Sequence, residues 1–153
     1  MESDLKPVEW ILLFLFIGSL PNQPVIKDSL LLFEGFFILV REIKPELDTH
    51  FNFICYSCGP FSQQLKNDLG ILQLLRFIKT RYFNSHTYYY LTDKGRAKAQ
   101  EITTKLDHGT VTRIAKLRKN PGEWLARTDL LRQGPPAGKE PDHSELFRLL
   151  WPE

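Results

Sequence analysis

The sequence predicts a mainly α-helical chain carrying one small β-hairpin, and three observations predict it. Apolar segments with helical spacing alternate with prolines at positions 7, 21, 24, 45, 60 and 121. One pair of neighbouring runs, 77–83 and 87–91, combines β-branched and aromatic residues around the turn formers Asn84, Ser85 and His86. The composition, 42% hydrophobic and 25% charged in 153 residues, is that of a globular domain plus attachments. It excludes collagen, wholesale disorder and a disulfide scaffold, and a chain of this size builds a core without metal or disulfide staples.

The first helix is expected over 7–18, with Pro7 in its first turn, where a missing N–H costs nothing. The second is expected over 25–43, ending at Lys44-Pro45. At 100° per residue Lys27, Glu34 and Arg41 form one narrow polar stripe, flanked by Gly35 and Glu42; leucines and phenylalanines cover the rest. That pattern reads as a central core helix, with part of its apolar surface open to a second subunit. Residues 51–56 read as a short extended segment, and Gly59-Pro60 turns the chain.

Ser62 is placed to cap a third helix over 63–75. There Leu65, Leu69, Leu72 and Arg76 lie within about 40° of one direction, with Asp68 and Leu75 to one side, while Gln63, Asn67 and Gly70 point away. The hairpin follows, and Thr92 caps a fourth helix over 93–105. A basic amphipathic helix over 110–119 and another over 123–132 come next, then a Pro- and Gly-rich linker over 133–141 and a short amphipathic tail over 142–153.

The two most apolar runs, 8–18 and 30–40, fall short of the roughly 20 residues that span a bilayer. Glu2 and Asp4 precede the first and Glu9 lies at its start, opposite in sign to a secretory leader. With two cysteines, Cys55 and Cys58, too few and too close for a secreted framework, the expectation is a cytoplasmic protein with no membrane partner.

Charge and aromatic content are unevenly divided. Of the 19 aromatic residues 16 lie at or before Tyr90. Residues 1–75 carry 5 Lys/Arg against 9 Asp/Glu, whereas 76–132 carry 13 against 5, net +8. The overall charge of +2 hides an acidic, aromatic half and a basic one that begins at the hairpin.

Three helices, a two-stranded ribbon and a fourth helix are the order of a winged helix-turn-helix. The organisation expected is a winged-helix domain over 7–106, a C-terminal helical extension over 107–132, the linker and the tail. The local text is Cys58-Gly59-Pro60-Phe61-Ser62 before the third helix and Tyr90-Leu91-Thr92-Asp93-Lys94-Gly95 after the hairpin. These motifs resemble those of the prokaryotic winged-helix family of YwgA-like and SocA or Panacea antitoxin-like proteins, which carry Tyr-Gly-Pro-aromatic-Ser and Tyr-x-Leu-Thr-x-x-Gly. The resemblance spans about residues 8–106, with Cys58 where the family has tyrosine. It implies a transcriptional regulator or, as in the antitoxin branch, a protein-interaction module that neutralises a toxin or adapts it to proteolysis.

A winged helix lays its third helix in the major groove and holds phosphates with its wing. Gln63, Gln64 and Asn67 carry amides able to pair with adenine, and Lys66 reaches guanine or phosphate, which makes these four the base-contact candidates. Lys79, Arg81, Asn84, His86, Arg96 and Lys98 are the phosphate-contact candidates, because Lys79 and Arg81 share one strand face and the others lie at or beyond the tip. The expected partners are double-stranded DNA and a second copy of the chain, with a protein partner as the alternative.

Cys55 and Cys58 form a CxxC, which supplies two zinc ligands where four are needed; His50 and His86 are the nearest additions. Two packed thiols are the expectation, with no metal and no cofactor. The chain has no phosphate loop, no His-Glu-x-x-His and no Gly-x-Ser-x-Gly, so an enzyme is not expected.

Overall fold

A computed structural model describes residues 5–20, 23–56 and 59–131. The expectations for Cys58, the linker and the tail lie outside the described residues. The chain is mainly helical with a small antiparallel sheet. Helix α1 (Pro7–Phe16) leads to strand β1 (Ile26–Lys27) and helix α2 (Ser29–Ile38), which continues as a wider π turn over Leu39–Ile43. A short helix α3 (Asp48–Phe51) precedes β2 (Ile54–Tyr56) and β3 (Gly59–Phe61), which pair with each other. Helix α4 (Gln63–Leu74), strands β4 (Ile78–Phe83) and β5 (His86–Leu91), and helices α5 (Asp93–Thr103), α6 (His108–Lys119) and α7 (Trp124–Leu131) complete the order.

Several expectations are corrected. The helix expected over 25–43 starts only at Ser29, because the backbone before it belongs to the sheet. Val25 N–H donates to the Tyr89 carbonyl at 2.7 Å and Asp28 N–H to that of Thr87 at 2.6 Å. The two-stranded ribbon is therefore a three-stranded sheet ordered β1-β5-β4, with Ile26 opposite Tyr89 and Lys27 opposite Tyr88. Asp28, at φ +73°, turns the chain from strand to helix. The segment expected to extend over 51–56 begins as helix α3, and Asn52 in the left-handed region (φ +50°) ends that helix before β2 starts. Arg76, expected on the buried side of the third helix, lies past its end at φ +64° and is exposed.

Both sequence motifs act as clamps. The Ser62 hydroxyl accepts the Leu65 N–H at 3.0 Å and donates to the Phe51 carbonyl at 2.5 Å, tying the start of α4 to α3. Beside it, Phe61 stacks on Phe33 of α2 at 5.5 Å. In the second motif Thr92 accepts the Gly95 N–H at 2.9 Å and donates to the Arg76 carbonyl at 2.6 Å. Gly95 is required by close approach: a Cβ there would lie 1.9 Å from the Phe77 carbonyl oxygen. The return strand of the hairpin is thus locked to the end of α4.

The core gathers α1, α2 and α7. Phe14, Phe33, Phe36, Phe37 and Trp124 are all fully buried, and each such side chain contributes roughly 1.5–3 kcal/mol on removal from water. Gly35, expected beside the polar stripe of its helix, is buried instead: a Cβ would come within 2.5 Å of Trp124 and 2.6 Å of Phe14. Trp124 seats against α2 through that gap and donates its indole N–H to the Leu117 carbonyl at 3.0 Å. Ile114 and Leu117 of α6 join the same cluster, so the helical extension shares the core of the preceding elements.

Candidate nucleic-acid interface

Helix α4 buries Leu65, Leu69 and Leu72 and leaves Gln63, Asn67, Ile71 and Leu74 on its outer side. The amides on this surface are partly committed to one another. Gln63 donates to the Asn67 carbonyl oxygen at 3.0 Å, whereas Gln64, half-buried, donates to the Asp68 carboxylate at 2.8 Å. Lys66 is half-buried and has no side-chain partner among the described residues. Gln63 and Asn67 are therefore open to a ligand by exchanging one exposed hydrogen bond, while Gln64 serves to fix Asp68.

Asp68 is a buried carboxylate that sequence reasoning left without a role. Its other oxygen lies 2.9 Å from His50 Nε2, so α3 and α4 are joined by a His50–Asp68–Gln64 relay. The relay borders a groove of about 580 Å³ lined by His50, Asn52, Ile54, Tyr56, Gln63 and Asn67. The two members of the central pair are 18 positions apart, and no periodicity connects them.

On the sheet, strand pairing puts Lys79 opposite Tyr90 and Arg81 opposite Tyr88. Alternation then divides the faces: Ile78, Tyr89 and Leu91 are buried inward, and Lys79, Arg81 and Phe83 point out with Tyr88 and Tyr90. The Lys79 ammonium lies 5.7 Å from the Tyr90 ring centre. No hydrogen-bond or ion-pair partner for Lys79 or Arg81 occurs among the described residues. On the inward face Tyr89 shares a 2.6 Å hydrogen bond with Ser29, and burial raises its phenol pKa above the ordinary 10.0 against that bond.

The remaining phosphate-contact candidates divide. Asn84 is exposed in the turn at φ +51°. His86 instead lies 3.0 Å from the Asp28 carboxylate, anchoring the tip to the start of α2. Arg96 donates to the Leu20 carbonyl at 2.6 Å and covers the Phe16 ring, and Lys98 sits 3.2 Å from Glu101. Among the described residues Lys66, Lys79 and Arg81 have no hydrogen-bond or ion-pair partner for their side chains, and neither has Lys27, which stands on β1 rather than in a helix. Its outward position follows from the two-residue strand, too short to leave a period in the sequence.

Cys55 is buried in the core. Among the described residues no three His, Cys, Asp or Glu side chains gather as for a metal ion, and no helix is long and apolar enough to cross a membrane. No family model, no curated protein and no solved structure matches the chain.

Proposed function

We propose that this chain is a winged-helix DNA-binding protein acting as a transcriptional regulator, with α4 presented to the major groove and the β4–β5 hairpin to the backbone. The observation that carries this reading is the pairing of two surfaces. One is the amide-bearing outer side of α4; the other is a sheet face on which Lys79 and Arg81 lack acidic partners among the described residues. The strand order β1-β5-β4, with β1 between the first two helices, supports the winged-helix assignment, as do the two clamping motifs on which the family resemblance rests. Gln63 and Asn67 are assigned to bases, Lys66 to base or phosphate, and Lys79, Arg81 and Asn84 to phosphate. The active form is a homodimer in the cytoplasm, and the role is binding rather than catalysis.

The test is retention of labelled duplex DNA across a salt series. Each phosphate contact contributes about 0.9 to the slope of log affinity against log salt, so Lys79→Ala with Arg81→Ala lowers that slope by about 2. Salt-insensitive binding, or none, overturns the proposal. A second reading is favoured by the exposed apolar end of α4, where Leu74 is 83% exposed beside Ile71 and Leu75. In that reading the chain is a protein-interaction module of antitoxin or proteolytic-adaptor type, and Leu74→Lys abolishes partner capture.

A further inference from the structure

The sheet carries a feature that duplex recognition does not use. Its outward side holds Tyr88 and Tyr90 on β5, with Lys27 on one flank and Lys79 and Arg81 on the other. The register sets Tyr88 between Lys27 and Arg81, two cross-strand neighbours of one ring. None of the outward residues of the three strands is acidic, and Asp28, next to Lys27 in sequence, is held at the edge by His86. A shallow groove of about 530 Å³ lies over this surface, walled by Pro24, Arg81, Phe83, Tyr88 and Tyr90. Phe83 is 64% exposed, so apolar ring surface is left facing solvent beside cations.

Phosphate contacts alone need cations and no rings; a protein partner of ordinary composition needs rings and no excess of one charge. Rings interleaved with cations fit a polyanion whose flat faces are available, which is an unpaired strand. We propose that this face is a stacking platform for single-stranded nucleic acid, with Tyr88 and Tyr90 each beneath one base and Lys27, Lys79 and Arg81 on the flanking phosphates. Alternate residues of a strand stand roughly 6.8 Å apart, twice the per-residue rise, which suits two bases drawn out of their stack rather than a stacked pair. Duplex DNA buries its base faces and cannot use the rings. The proposal shares Lys79 and Arg81 with the DNA-binding reading above but is independent of α4.

The experiment is fluorescence anisotropy of the full chain with labelled oligothymidine and oligouridine of about 12 nucleotides, within the span one such surface covers, and with a blunt duplex of the same length. Replacement of both rings by leucine, Tyr88→Leu with Tyr90→Leu, is expected to weaken single-strand binding at least tenfold and leave duplex binding unchanged. The pair Tyr88→Phe and Tyr90→Phe, which keeps both aromatic faces, retains wild-type affinity. Quenching of tyrosine emission when the wild-type chain takes up oligothymidine is a further expected result and needs no variant. Binding of either oligonucleotide supports the proposal. If the wild-type chain fails to bind either single strand, or if the leucine pair binds them as wild type does, the stacking platform is overturned. Retained duplex binding in that case leaves the regulator reading standing; loss of duplex binding with single-strand binding intact removes that reading and keeps the platform.

Discussion

Two arginines of this molecule stand among aromatic residues to opposite ends. The Arg118 guanidinium lies 5.0 Å from the Phe14 ring and 6.0 Å from that of Trp124, and it donates to the Val25 carbonyl at 2.6 Å. Burial lowers its pKa to about 10. Arg81 is exposed opposite Tyr88, with its donors unclaimed by the described residues. Both arginines have aromatic residues as neighbours. What separates a structural cation from one available to a ligand is whether it is buried and already donating inside the protein.

Trp124→Ala empties the cage around Arg118 and opens space over Gly35; it should cost about 3–5 kcal/mol, read as a lower midpoint in urea unfolding. A stability within 1 kcal/mol of wild type would mean that α7 is not part of the cooperative core. Arg118→Met keeps the stem but strands the Val25 carbonyl, which abuts β1, for a loss of about 1–3 kcal/mol in the same titration.

The alkaline limb depends on Tyr89. Its folded pKa is raised above 10.0, so above that pH the unfolded chain releases a proton that the folded chain retains, and stability falls as pH rises. Thermal melts of Tyr89→Phe should show a shallower fall above about pH 10 than the wild type. Arg81→Met should be nearly silent in urea, within about 0.5 kcal/mol, while reducing the salt slope of duplex binding by about 0.9. A large stability loss at Arg81 would erase the contrast with Arg118.

The legible parts of the fold were those whose cause is local. Ser62 and Thr92 announce their helices because a capping hydroxyl acts within three residues, and Leu65, Leu69 and Leu72 mark one face because helical period is a short-range property. Lys79 and Arg81 were placed on one face by strand alternation alone. The illegible parts depend on distant backbone. β1 is a two-residue strand that exists only because β5 offers it hydrogen bonds some sixty positions away, and it shortens the second helix. The same separation hid the platform: Tyr88 and Tyr90 face outward with Lys27 only once both registers are known. His86 and Arg96 looked like ligand contacts because their internal acceptors, Asp28 and the Leu20 carbonyl, are remote in sequence.

The seat of Trp124 against Gly35 also sets a timetable for synthesis. A ribosome delivers α1 and α2 well before residue 124, and the apolar flank around Phe14 and Gly35 then has no lid. The emerging chain must keep that flank from neighbours until its last described helix arrives, so the interval is when it is most prone to clump or to need a chaperone. Slowing translation between codons 40 and 124 would lengthen that exposure without altering a single native contact.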